Sequence, residues 1–185
     1  MQAGGGQSLL DIGGGIGALS FELLAAGFAR ATLVDAAGEF LTVAGREAER
    51  RGESGRLAVR EGDFVGVGGS IPHADVVAMD RVVCCYPDYR ELLESALEHA
   101  VRLFAISYPR DRWFVKGVVG LENGLRTLRQ SAFRVFVHPA AAMKGLAEEH
   151  GFHCVRQGGT IAWAVELYAR GEAEHPRSPR EPAGS

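Results

Sequence analysis

Residues 11–17 read Asp11-Ile12-Gly13-Gly14-Gly15-Ile16-Gly17, directly after the apolar Ser8-Leu9-Leu10. Gly13, Gly15 and Gly17 form an Asp-x-Gly-x-Gly-x-Gly run where a short apolar strand meets an amphipathic stretch. A strand that turns abruptly into a helix needs positive φ angles. A backbone without side chains also lets a ligand sit against peptide N–H groups. A nucleotide-type ligand is the expected occupant, and a merely tight structural turn is the alternative. The second residue of this kind is Asp35, at the end of Thr32-Leu33-Val34 with Ala36 beside it. In a doubly wound sheet the carboxyl ends of the first two strands flank a ribose, and a carboxylate there accepts from both hydroxyls. Its plainer role is the N-cap of the next helix, and the two are compatible.

These residues need a scaffold, and the hydrophobic pattern supplies βαβ units around a parallel sheet. Strands are predicted at 8–12, 31–34, 57–60, 74–79 and 103–107, with helices at 18–26, 39–51 and 89–101. The run 74–79 is apolar throughout, as a strand buried on both faces should be. From Asp111 to Gln130 the apolar residues Phe114, Val118, Leu121, Leu125 and Leu128 mark one face of a helix. Pro139 opens a last helix that ends at His150. Strands at 152–156 and 161–168 follow, joined by Gln157-Gly158-Gly159-Thr160, a link that allows a hairpin and forbids a parallel crossover. The expected architecture is α/β, Rossmann-like and doubly wound. Its seven-stranded sheet is mostly parallel with an antiparallel last strand, and helices cover both faces. One domain is expected over residues 1–170, with a disordered polar tail over 171–185.

Composition excludes several classes. The chain has 185 residues, 46% hydrophobic and 23% charged, which suits one globular domain with a proper core. No apolar stretch reaches the length of a membrane span. The N-terminus offers no basic stretch followed by an apolar core, so no secretory signal is expected. The net charge of −3 gives no general pull toward nucleic acid or anionic lipid. Cys84, Cys85 and Cys154 are odd in number and have no metal-ligand spacing. They read as reduced thiols of a cytoplasmic protein, with the adjacent pair packing as small apolar side chains. No metal site is expected.

With these residues in place, the chain resembles the class I S-adenosylmethionine-dependent methyltransferases from about Ser8 to Tyr168. Asp11 to Gly17 matches their glycine-rich motif, and Asp35 their ribose-binding acid. Glu61-Gly62-Asp63-Phe64 looks like their third-strand motif. By that resemblance the Asp63 carboxylate takes the adenine amino group and the Phe64 N–H a ring nitrogen. Ala78-Met79-Asp80-Arg81 looks like the fourth-strand motif bordering the methionine moiety. The closing hairpin also fits. More loosely, the order of pieces in the second half is similar to the magnesium-protoporphyrin O-methyltransferases: Ser107-Tyr108-Pro109-Arg110, a long helix, then Val137-His138-Pro139. The resemblance implies S-adenosyl-L-methionine as cofactor and O-methylation of a small molecule.

Methyl transfer depends mainly on positioning the acceptor in line with the sulfonium. The candidates at the ends of strands four and five are Asp80, Arg81, Tyr86, Tyr108, Arg110 and Arg112, with His138 from further along; of these, His138, Tyr108 and Arg110 are the catalytic candidates. His138 is the general base if the acceptor is a hydroxyl. Its alternative role is a capping partner ahead of the Pro139 helix. Residues 110–134 carry a net charge of +4 against −7 for the rest of the chain. An anionic, carboxylate-bearing acceptor suits that segment, unless the arginines simply solvate a helix face.

Two other readings stand beside this one. Gly13-x-Gly15-x-x-Ala18 also satisfies the relaxed dinucleotide fingerprint, so an NAD(P)-dependent oxidoreductase is the rival enzyme. The stretch before the first strand is short and glycine-rich. That leaves three accounts of what covers the cofactor: a truncated chain, the 111–130 helix as sole lid, or a homodimer mate or other partner. A non-catalytic S-adenosylmethionine-binding subunit is the corresponding non-enzymatic alternative.

Overall fold

The computed structural model describes residues 6–113, 117, 119, 120 and 135–171. Strands β1 (Ser8–Ile12), β2 (Arg30–Asp35) and β3 (Leu57–Glu61) alternate with helices α1 (Ala18–Ala25) and α2 (Gly38–Arg51). Then come the short α3 (Phe64–Val67), β4 (Ala74–Asp80), α4 (Tyr89–His99), β5 (Ala100–Pro109), α5 (Ala140–Glu149), β6 (Phe152–Gly159) and β7 (Trp163–Arg170). The sheet order is β3-β2-β1-β4-β5-β7-β6. Strands β1 to β5 pair in parallel, and β7 runs antiparallel to both β5 and β6. This is the Rossmann-like sheet expected from the sequence, with the chain reversing direction between β1 and β4, where such sheets bind ligands.

Alternation along the strands divides the core in two. Leu10, Ile12, Val77 and Met79 face α4 and α5, with Leu93, Leu97, Leu146 and Phe104 completing that layer. Leu9, Leu33 and Ala31 face α1 and α2, against Phe21, Leu24, Leu41 and Ala44. Because successive strand residues point to opposite faces, Asp11 shares the second face with Leu9 and is carried underneath α1.

Several boundaries differ from the sequence reading. Helix α4 stops at His99 rather than Val101, and β5 begins at Ala100 and runs to Pro109. The Arg170 guanidinium donates to the Leu97 and Ala100 carbonyls at 3.2 and 2.7 Å. It thereby satisfies helix-end acceptors that have no intrahelical donor. Residues 157–159 belong to β6 rather than to the hairpin link, pairing with Glu166, Val165 and Ala164. The real turn is Thr160–Ala162, where the Thr160 hydroxyl accepts from the Ala162 and Trp163 N–H groups. The helix expected over 111–130 lies largely outside the described residues, and so does the tail beyond residue 171.

Candidate active site

The glycine loop is built by backbone geometry. Gly13 (φ 63°), Gly15 (φ 57°) and Gly17 (φ 82°) all have left-handed φ. At Gly13 a Cβ would meet the Val82 methyls at 2.6 and 2.9 Å, so both the φ and the space demand glycine. The loop is then tied to the next strand. The Asp35 carboxylate accepts from the Gly15 N–H at 2.9 Å through one oxygen and from the Ala37 N–H at 2.8 Å through the other. One side chain thus holds both the loop and the start of α2. Each of its oxygens keeps a second lone pair for a ligand.

Asp11 lies beneath the loop with no solvent exposure. One carboxylate oxygen accepts from the Ser20 hydroxyl at 2.7 Å, and the other, Oδ1, is buried without a partner. Burial pushes its pKa up to about 6, with the Ser20 hydrogen bonds pulling the other way and the Asp80 and Asp35 charges adding a little. Asp80 ends β4. The β4–β5 register sets it beside Ser107, whose hydroxyl donates to the Asp80 carboxylate and accepts from the Arg81 N–H. Arg81 has φ 60°, rare for a residue with a side chain. Its guanidinium lies over the Trp163 ring, 5.2 Å from the centroid.

Two adjoining cavities open at this edge of the sheet and share Gly13 and Phe40. The larger, about 630 Å³, is lined by Ile12, Gly13, Val34, Asp35, Ala36, Ala37, Phe40, Gly62, Asp63, Phe64, Arg81, Val82, Cys85, Tyr86 and Leu92. Its size is that of a small-molecule or cofactor pocket. The smaller, about 290 Å³, is lined by Asp11, the loop from Gly13 to Ile16, Ala18, Leu19, Phe40 and Asp80. On the far wall of the larger cavity Asp63 caps α3, accepting from the Val65 N–H at 3.3 Å. Its other oxygen accepts from the Tyr86 hydroxyl at 3.0 Å. Burial, with Asp63 beside it, pushes that phenol up to about 12.

These elements bring together Asp11, Gly13, Gly15, Asp35, Ala36, Asp63, Phe64, Asp80 and Arg81, all on the walls of the two cavities. Gly17 stands behind them as the N-cap of α1. The three catalytic candidates line neither cavity. Tyr108 is buried in the core, where desolvation and then the Glu166 charge raise its pKa. His138 is also buried, and its Nε2 faces the Val83 and Tyr86 carbonyls, each at 3.0 Å. The Arg110 guanidinium donates to the Thr160 and Gly158 carbonyls and braces the β6–β7 turn. Sequence reasoning missed Ser20, Phe40 and Ser107. Ser20 and Ser107 act through Asp11 and Asp80, and Phe40 reaches both cavities from α2, so no local pattern marks them.

The family model described as the O-methyltransferase domain matches residues 4–103, just over half of the chain. This chain belongs to the O-methyltransferase family. The S-adenosylmethionine-dependent methyltransferase class that its motifs resemble is therefore its class, with S-adenosylmethionine as cofactor. No curated protein matches this O-methyltransferase-family chain in sequence. Solved structures share its fold. Magnesium protoporphyrin IX methyltransferase from Synechocystis PCC 6803, solved with SAH bound, superposes with a TM-score of 0.73 at 19% identity, over 90% of this chain and 75% of that one. An O-methyltransferase family protein from Burkholderia thailandensis gives 0.74 at 15%, over 91% of this chain and 52% of its own. An O-methyltransferase family 2 protein from Planctomyces limnophilus DSM 3776, in complex with apigenin, gives 0.70 at 21%, over 92% and 52%. This chain therefore spans about half the length of the last two. Among its described residues, no helix is long and apolar enough to cross a membrane.

The site fits the cofactor on its own evidence. It offers a buried carboxylate oxygen without a donor, a loop whose Gly13 position has no room for a Cβ, and an anchored carboxylate on the wall of the larger cavity.

Proposed function

We propose that this chain is an O-methyltransferase acting on a small anionic acceptor, with its cofactor laid across both cavities. When bound, S-adenosylmethionine supplies an electrophilic methyl group on a sulfonium. Asp35 would accept the ribose hydroxyls beside Ala36. Asp63 and the Phe64 N–H, an N-terminal helix amide with no intrahelical acceptor, would hold the adenine. Asp11 and Asp80, with Gly13 between them, would take the cationic amino-acid end. The observation that carries this reading is the double backbone anchoring of Asp35 at the wall of the larger cavity.

The anionic acceptor draws support from the walls. Among the described residues, neither cavity is lined by histidine, and Arg81 is the one cationic side chain on their walls. A carboxylate already ionised at neutral pH needs no general base, and Arg81 offers it a counter-charge. Tyr108, Arg110 and His138 then act as positioning residues. His138 holds the turn that carries Tyr86, and Arg110 holds the hairpin that carries Trp163.

Calorimetric titration with S-adenosylmethionine and S-adenosylhomocysteine tests the cofactor. The wild type should bind both, and Asp35→Ala should weaken binding by about 2 kcal/mol or more through loss of charged hydrogen bonds. A folded wild type that binds neither, or a variant that binds as tightly, overturns the site assignment. A panel of paired carboxylates and phenols, read by S-adenosylhomocysteine release, tests the acceptor. Turnover of neutral phenols alone overturns the anionic reading.

A further inference from the structure

At the edge of the larger cavity lies a pair of thiols, one on its wall and one behind it, that cofactor binding does not account for. Cys84 and Cys85 lie in a single 3-10 turn, Val83–Cys85. Their sulfurs are 3.7 Å apart, and both point at the Arg81 carbonyl, at 3.4 and 3.7 Å. The two differ in access. Cys84 is 3% exposed and packs in the core, whereas Cys85 is exposed and lines the cavity. The expectation that both simply pack therefore holds for Cys84 alone.

We propose that Cys84 and Cys85 form a dithiol modification site that a small-molecule disulfide oxidises to a vicinal disulfide, weakening cofactor binding. The accessible Cys85, as thiolate, attacks one sulfur of the small disulfide and expels the other half as a thiolate. Cys84 then loses its proton and attacks Cys85 Sγ, expelling the second half. The two protein thiols give up two protons and two electrons, and the small disulfide becomes two thiols.

Geometry gives this bond its consequence. Disulfides need a sulfur separation near 2.05 Å and Cα atoms roughly 4.4 to 6.8 Å apart. Adjacent Cα atoms across a trans peptide are only about 3.8 Å apart. The oxidised pair is therefore strained, and strained disulfides are the easily reduced, regulatory kind. The turn must open to accommodate it. That breaks the Cys85 N–H to Val82 and Tyr86 N–H to Val83 hydrogen bonds, now 2.8 and 3.2 Å. Tyr86 moves with the turn, and its hydroxyl is the donor that fixes Asp63 on the cavity wall. Disturbance also reaches the far side. The Cys84 carbonyl accepts from the Phe136 N–H at 2.7 Å, and His138 is held by the Val83 and Tyr86 carbonyls.

The consequence for binding rests on the proposed cofactor placement, whereas the chemistry of the thiols does not. The full chain, carrying Cys154→Ser to remove the third thiol, is equilibrated in glutathione buffers of increasing oxidised fraction, acid-quenched and weighed intact. The expected product is a species lighter by two hydrogens that dithiothreitol reverses. Cys85→Ser should never yield that species. Its absence from the two-cysteine protein at every poise, or its presence in Cys85→Ser, overturns the site. S-adenosylhomocysteine is then titrated into the reduced and oxidised forms, with a loss of about tenfold expected on oxidation, or about 1.4 kcal/mol. Equal affinity overturns the coupling. A reduced protein that binds no S-adenosylhomocysteine overturns the cofactor placement and the coupling with it, while the mass result still decides the dithiol.

Discussion

Asp11 offers the sharpest test of how this loop is held. Its carboxyl is fully buried and accepts one side-chain hydrogen bond, and burial pushes its pKa up to about 6 from an ordinary 3.8. A raised folded pKa means that the folded protein binds more protons than the unfolded chain between about pH 4 and 6. Stability must then fall as pH rises through that window, and the full penalty stands above it. Linkage with these two values gives a penalty of about 1 kcal/mol at pH 4.5 and about 3 kcal/mol at pH 7.5. Asp11→Asn removes the charge. Its side-chain carbonyl can still accept from Ser20, while its NH₂ takes the place of the unpartnered Oδ1. The variant should therefore gain about 2 kcal/mol on the wild type between pH 4.5 and 7.5. The other carboxylates are common to both proteins, so the difference isolates Asp11 together with its small coupling to Asp80 and Asp35. Urea unfolding of both proteins at four pH values across this range, with matched m-values, measures the difference. A stability difference that stays flat with pH, or that shrinks toward pH 7.5, would refute the reasoning. Either result would mean that Asp11 is ionised at little cost and that the cavity is wetter or more cationic than its walls imply.

Further outcomes follow from the same geometry. Ser20→Ala removes the side-chain hydroxyl that donates to Asp11 and should destabilise by about 1–3 kcal/mol at pH 7.5. The loss should be smaller at pH 4.5, where a protonated Asp11 depends less on it; urea unfolding at the two pH values checks this. Gly13→Ala places a Cβ against Val82 at a left-handed φ. Titration should show S-adenosylhomocysteine affinity falling by about tenfold or more, with about 1–2 kcal/mol lost from the fold. Cofactor affinity should rise between pH 5 and 7 as Asp11 ionises to receive a cationic group, and the rise should vanish in Asp11→Asn. His138→Ala should raise the KM for cofactor by loosening the Val83–Tyr86 turn while leaving the shape of the kcat–pH profile unchanged. Loss of an ionisation near neutrality from that profile would instead make His138 a base.

The local half of this protein was legible in its residues. Strands, helices and the glycine loop follow from patterns within ten or fifteen positions. Helix and strand have different periods, and only glycine adopts left-handed φ freely. Residue types around the first two strand ends pointed to Asp11 and Asp35 because a parallel sheet gathers such ends along one edge, whereas Asp63 and Asp80 came from the family resemblance. The misjudged boundaries are those set by distant partners. Arg170 satisfies the end of α4 from the last strand, and pairing with β7 lengthens β6 through two glycines.

What the sequence determined alone was therefore the class of sheet and the side of it that meets a ligand. Tertiary structure decided which polar side chains reach that side and in what state. Asp80 and Ser107 lie 27 positions apart and touch only through strand register. Tyr108 and Arg110 sit close to Ser107 in sequence, yet one is swallowed by the core and the other turned to the hairpin. Cys84 and Cys85 are chain neighbours that a single turn divides between core and cavity. Side-chain type is a property of one position, whereas burial, hydrogen-bond supply and hence ionisation belong to everything packed around it. For Asp11 that surrounding is α1 and Ser20, and it moves one carboxyl into the physiological range.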